Sequence, residues 1–157
     1  MSLGGKRIRP LFVLMSCDLF GGKVKDAVSP AIAIEIFHNF TLVHDDIMDN
    51  APLRRNNPTV FKKWNKDIAL LSGDVMLVWA YRLLSKCEQK KFLKILGVFN
   101  EAAIKVCEGQ QLDMNFEAQA LYAPPQPFPP WREFNAQGKK NADCASLKSD
   151  LEIAWSV

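Results

Sequence analysis

The stretch that decides the fold runs from Val28 to Asp49, VSPAIAIEIFHNFTLVHDDIMD. Ile32, Ile36, Phe40, Val43 and Ile47 recur at steps of four, four, three and four, which is the period of an amphipathic helix. This stripe predicts a long helix that buries one face and ends at Asp45-Asp46-Ile47-Met48-Asp49. A second face carries His38, Thr41, Asp45 and Asp49. Asp45 and Asp49 are four apart and stack on one side of the helix, so their oxygens converge on one small volume. Carboxylates held so close repel each other unless a cation neutralises them. A hard divalent ion such as Mg²⁺ does this with one or two protein carboxylates, waters and phosphate oxygens.

Arg54 and Arg55 follow within a loop marked by Pro52, Pro58 and two adjacent asparagines. Paired arginines offer planar, always-charged forks that suit phosphate oxygens. Acid cluster and arginine pair together read as a metal-bridged phosphate site; the plainer reading is a solvated helix end. His38 stands two turns before Asp45 on the same side, which fits either a core imidazole or a group facing the site.

Toward the N-terminus, Gly4-Gly5-Lys6-Arg7-Ile8-Arg9-Pro10 precedes another helical pattern. Lys6 and Arg9 share a face if that helix starts here, and Pro10 suits its first turn. Leu11, Leu14 and Met15 form its apolar stripe, and Phe20-Gly21-Gly22 ends it. Toward the C-terminus, Asp67 to about Leu84 predicts a third helix with Leu71, Val75, Val78 and Leu83 inward. Gly73-Asp74 interrupts it and places a carboxylate among apolar neighbours, where an acid needs a partner. Asp74 is read as structural. Phe92 to about Glu117 predicts one long helix or two joined near Asn100, with Phe92, Ile95, Leu96 and Phe99 on one face. Gln110 and Asp113 lie three apart on its later part.

The bulk numbers bound these readings. With 157 residues, 48% hydrophobic and 24% charged, the chain can bury a core. A net charge of +3, with no basic run interleaved with aromatics, argues against nucleic acid. No apolar run approaches the roughly 20 residues of a membrane span. Cys17, Cys87, Cys107 and Cys144 form no Cys-x-x-Cys pair, so neither a zinc site nor a disulfide framework is indicated, and a reducing cytoplasm is the expected setting. Five of the nine prolines fall between Ala123 and Pro130, which predicts an irregular tail over 120–157.

Gly-Gly-Lys-x-x-Arg-Pro, a helix ending in Asp-Asp-x-x-Asp, Arg-Arg, Gly-Asp and Gly-Gln-x-x-Asp occur here in one order. That series resembles the trans-isoprenyl diphosphate synthases and covers Gly4 to about Glu117. The resemblance implies an all-α fold, part of the helical barrel of isoprenoid synthases, over 1–119. It implies a Mg²⁺-dependent prenyltransferase that condenses an allylic prenyl diphosphate with isopentenyl diphosphate, and a homodimer or association through exposed helices. It places Mg²⁺ on Asp45 and Asp49, with Asp46 in support, and the allylic diphosphate on Arg54. Lys6, Arg9, His38 and Arg55 fall where the isopentenyl diphosphate is held, and Gln110 and Asp113 where the cavity is lined. Phe40 and Thr41 match the positions that set product length, with a pattern closer to geranylgeranyl than to eukaryotic-type farnesyl synthases.

The family's downstream Lys-Thr pair and second aspartate-rich motif have no counterpart, Asp143 and Asp150 being isolated, and the helix that precedes Gly-Gly-Lys is absent too. The expectation is therefore a chain bearing one wall of a two-walled metal clamp. The abrupt change near Ala120 suggests a frame shift or a cloning junction. The alternative is a non-catalytic, diphosphate-binding helical subunit of a complete synthase.

Overall fold

The computed structural model describes residues 5–122. Gly4 and the tail from 123 onward lie outside the described residues, and with them the expectations for the Pro-rich segment. The described chain forms five helices and one very short hairpin: α1 (Ile8–Leu19), α2 (Val24–Met48), β1 (Leu53–Arg54), β2 (Asn57–Pro58), α3 (Val60–Lys63), α4 (Lys66–Leu84) and α5 (Gln89–Tyr122). The all-α expectation holds. By its contacts the chain divides into a first unit ending at Ile104 and a second beginning at Lys105. The first unit contains α1 to α4 and the start of α5; the described part of the second is the remainder of that helix.

The ends of α1 and α2 are set by the same device. At the end of α1, Gly21 adopts φ 73°; its amide donates to Asp18 O (2.9 Å) while Gly22 N donates to Cys17 O (2.8 Å). At the end of α2, Asn50 adopts φ 50°, and Ala51 N donates to Asp46 O (3.0 Å). Both are left-handed closures that satisfy the last carbonyls. α4 opens on Asn65, whose side-chain oxygen accepts from Ile68 N at 2.8 Å and satisfies one orphan amide.

The helix periods were legible, but the buried faces of α1, α2 and α4 were not. Ile32, the first residue of the predicted α2 stripe, is 45% exposed, and Leu71, Val75 and Val78 of α4 are all exposed. In α1 no residue is fully buried, and Leu11 and Met15 are exposed. The core of the first unit is instead Ala33 and Phe37 of α2, Ala80 and Leu84 of α4, and Phe99 of α5, with Phe40, Leu77, Phe92, Ile95 and Leu96 packed around them. Small side chains let α2 and α4 approach closely, so the alanines are buried and the bulkier aliphatics are left on other faces. The α5 stripe, with Phe99 at its centre, falls where the periodicity puts it. α4 is also continuous: Gly73-Asp74 does not break it, and Asp74 is exposed rather than buried.

An apolar cleft of about 530 Å³ is lined by Val13, Ala27, Pro30, Ile95 and Val98 among others, and none of the acid-cluster residues reaches it. Among the described residues no helix is long and apolar enough to cross a membrane. Gly21 tests the α1 closure: Gly21→Ala puts a β-carbon on a left-handed backbone, and its stability in urea should fall by roughly 1–2 kcal/mol.

Candidate active site

The acid cluster occupies the last turn of α2, with Asp49 as the C-cap. Asp46 is buried (4% exposed), Asp45 half-buried and Asp49 exposed. Three carboxylates here add to the negative end of the helix dipole, an arrangement that favours a bound cation. Arg54 supplies part of that charge. Its Nε donates to Asp46 Oδ1 at 2.7 Å and its Nη2 to Asp45 Oδ2 at 3.2 Å. Burial pushes the Asp46 carboxyl up, and the Arg54 hydrogen bond pulls in the opposite direction. The Asp49 backbone amide donates to Asp45 O (2.9 Å), while its carboxylate makes no hydrogen bond or ion pair among the described residues and is exposed.

The hairpin explains how two adjacent arginines serve different places. Arg54 pairs with Asn57 across the strands, leaving a two-residue loop of Arg55 and Asn56 at φ 52° and 61°. Two successive positive φ values make a type I′ turn, a costly conformation for an arginine. The loop base is fixed by buried Thr59, whose Oγ1 donates to Ala51 O at 2.8 Å. The turn sends Arg54 toward α2 and Arg55 toward the N-terminal segment. A β-carbon on Gly5 would stand 2.7 Å from Arg55 Nη1, so glycine is what lets the guanidinium lie against that backbone.

Around this contact gathers the basic cluster. Lys6 and Arg9 are exposed at the start of α1, the positive end of its dipole. His38, half-buried on α2, has its pKa lowered first by burial and next by the charge of Arg9; Arg55 and Arg54 add to this, and Glu35 opposes it. Arg7, at φ 49°, caps α1 and ion-pairs with Glu35 of α2. Arg9, His38 and Arg55 thus lie near one another, with Lys6 exposed next to Gly5 in the chain, and Asp45, Asp46, Asp49 and Arg54 lie at the C-terminal end of α2. Thr41 Oγ1 donates to His38 O (2.8 Å), and the Phe40 ring lies 5.6 Å from Phe37 and 4.6 Å from His44. Gln110 (half-buried) and Asp113 (exposed) lie on α5 within the second unit.

Sequence reasoning overlooked Glu35, Thr59 and His44, the partner of Gly73. Glu35 and Thr59 carry no motif. His44 and Gly73 meet directly, and the glycine inside a helical pattern was the available signal. Asp74 is not the buried acid expected; its Oδ1 lies 3.6 Å from His44 Nε2 at an exposed position. Among the described residues no three His, Cys, Asp or Glu side chains converge as a complete metal cage. Asp45 and Asp49 are hard oxygen donors one turn apart, and they fit an ion that takes only one or two protein carboxylates.

The polyprenyl synthetase family model matches residues 1–124. The chain belongs to the polyprenyl synthetase family. It is 41% identical over 118 residues to the geranylgeranyl diphosphate synthase of Methanosarcina mazei, covering 74% of this chain and 36% of that protein. With the geranylgeranyl diphosphate synthase of Saccharolobus solfataricus it shares 46% over 118 residues, covering 73% and 36%. A (2E,6E)-farnesyl diphosphate synthase of Mycobacterium tuberculosis is 38% identical over 115 residues, covering 73% and 32%. The fold superposes on the geranylgeranyl pyrophosphate synthetase of Pyrococcus horikoshii with a TM-score of 0.71 at 43% identity, over 73% of this chain and 36% of that one. The chain thus spans about a third of the length of these curated relatives.

His38 allows a check by pH. Its folded-state pKa lies below the unfolded value of about 6.5, so the unfolded chain binds more protons as the solution is acidified. Stability contributed by neutral His38 is present above pH 6.5 and is lost as pH falls through the lower, folded value. Urea midpoints at pH 7.5 and 5.5 should show this drop, and His38→Gln should reduce it.

Proposed function

We propose that this polyprenyl synthetase chain carries the diphosphate-handling half of a prenyltransfer site, joining an allylic prenyl diphosphate to isopentenyl diphosphate. The observation that supports this best is the division of the arginine pair, with Arg54 on the acid cluster and Arg55 on the basic one. Two anionic substrates need two such poles, and both helices carry charge that a ligand of opposite sign would relieve. Asp45 and Asp49 would hold Mg²⁺, which when bound supplies positive charge for the departing diphosphate. Asp46, buried and bonded to Arg54, orients that arginine rather than binding metal. Arg54 receives the allylic diphosphate as well. Lys6, Arg9, His38 and Arg55 bind isopentenyl diphosphate, and neutral His38 can donate a hydrogen bond to it.

Ionisation of the allylic C–O bond leaves a carbocation and diphosphate. The homoallylic double bond of isopentenyl diphosphate attacks the cation, and the proton lost from the adduct passes to the released diphosphate. Apolar helix faces keep water from quenching the cation in this reading. Phe40 and Thr41 limit product length, which points to geranylgeranyl diphosphate. The substrates' charge fits a cytoplasmic enzyme, and the exposed apolar residues of α4 and α5 favour a homodimer.

Incubation of the full chain with Mg²⁺, isopentenyl diphosphate and an allylic diphosphate tests the reading. Extended prenyl diphosphate would show that this chain is an enzyme; EDTA should then abolish it, and Asp45→Asn or Asp49→Asn should lower the rate roughly a hundredfold or more. Diphosphate binding without turnover would favour a non-catalytic subunit instead, and no binding would overturn both. Product length is checked separately: Phe40→Ala should shift the products longer by about one isoprene unit or more, as opening the floor predicts. Unchanged products from a folded Phe40→Ala chain would reject that role.

A further inference from the structure

The helices α2 and α4 meet along a seam whose two sides match step for step. Going back along α2, His44, Phe40, Phe37 and Ala33 are separated by four, three and four residues. Going forward along α4, Gly73, Leu77, Ala80 and Leu84 are separated by the same steps. Phe37, Ala33, Ala80 and Leu84 are core residues of one cluster, with Phe40 and Leu77 packed against it. The repeat is that of two antiparallel helices interlocking side chains. The last pair breaks the apolar rule, setting an imidazole against a glycine.

The fit at that pair is close. A β-carbon on Gly73 would lie 2.3 Å from His44 Nε2 and 2.4 Å from its Cδ2, so any other residue there would displace the ring. His44 Nε2 lies 3.2 Å from the Leu70 carbonyl oxygen, one turn before Asp74. A carbonyl only accepts, so Nε2 carries the proton and donates. The Asp74 carboxylate, 3.6 Å away, adds attraction for that proton. On its other side the ring meets the Phe40 ring, with centroids 4.6 Å apart. A single polar pair in an apolar seam is a recognised way of fixing register, because sliding by one turn would strand the donor and collide the ring with a side chain.

We propose that His44 and Gly73 form the register key of the α2–α4 seam, which makes His44 a positioning residue for the acid cluster. The next residue in the chain is Asp45. With the key seated, the last turn of α2 has one position and one rotation relative to α4, and Asp45 and Asp49 are presented in one geometry. The Leu70 carbonyl, the glycine gap and the Phe40 edge together account for the Gly-Asp pair in α4, which the site itself does not use. The functional consequence rests on the reading of the cluster as a Mg²⁺-diphosphate site; the register role does not.

Three variants of the full chain separate these points. His44→Phe keeps a ring against Phe40 and Gly73 but has no donor for Leu70. His44→Gln returns an N–H at the reach of Nε2. Gly73→Ala fills the gap. Binding of inorganic diphosphate in the presence of Mg²⁺ is measured by calorimetry, and the carboxyl ¹³C shifts of Asp45, Asp46 and Asp49 by NMR. His44→Phe and Gly73→Ala should weaken diphosphate about fivefold or more and move the aspartate shifts, while His44→Gln stays within about twofold of the parent with shifts near its own. Parent-like affinity and shifts in His44→Phe and Gly73→Ala would overturn the proposal, and so would equal losses in the Phe and Gln variants. If the parent chain itself does not bind diphosphate, the functional reading of the cluster fails, and the aspartate shifts still decide the register key. If His44→Phe does not fold, Gly73→Ala against His44→Gln gives the same comparison.

Discussion

Close approach of α2 and α4 is the constraint on which the rest of the first unit depends. Ala33, Ala69 and Ala80 are wholly buried and Gly73 is buried with them. Small residues bury little apolar area themselves, so the seam does not derive its strength from large side chains meeting face to face. Its value is that Phe37 and Leu84 can reach Phe99 of α5 through the narrow gap the alanines leave, with the Phe37 and Phe99 rings edge to face at 5.1 Å. Enlarging any of these small positions would push the helices apart and loosen the aromatic contact at once.

That constraint also sets where charge accumulates. With α2 held against α4, its C-terminus carries three carboxylates at the negative end of a helix dipole, and the N-terminus of α1 carries Lys6, Arg7 and Arg9 at the positive end. Each end has charge of the wrong sign for helix stability. Internal pairing relieves both only in part: Arg54 bridges Asp45 and Asp46, and Glu35 pairs with Arg7. Asp49, Lys6 and Arg9 remain exposed to solvent. A protein selected only for stability would not keep such ends; a site for a cation and polyanionic substrates would.

The hairpin converts a sequence repeat into a spatial division. Arg54 and Arg55 are adjacent in the chain, yet two left-handed residues turn one toward the aspartates and the other toward Gly5. The turn at Arg55 is closed by Asn57 Nδ2, which donates to Arg55 O at 3.0 Å, and the loop base is anchored by Thr59 on the carbonyls of the segment just after α2. Backbone strain retained beside a candidate site is characteristic of function.

The helices, their order and the charged motifs were legible in the sequence because period and charge are local properties. Asp45, Asp49, Arg54 and the Lys6–Arg9 pair each announced themselves by residue type and spacing, and the family resemblance followed from their order. Which face is buried was legible for α5 but not for α1, α2 and α4. Hydrophobicity marked Ile32, Leu71 and Val78 as core, whereas the α2–α4 contact selected Ala33, Phe37, Gly73 and Ala80, because approach distance rather than side-chain hydrophobicity decides burial at a tight seam. Asp74 was mistaken for a buried acid for the same reason: its neighbours in sequence are apolar, but its neighbours in space are solvent and His44. The sequence by itself determined that helices would form and which of their ends would be charged. Only the tertiary structure decided which small residues would meet, because register between two helices is fixed by contacts that no single segment contains.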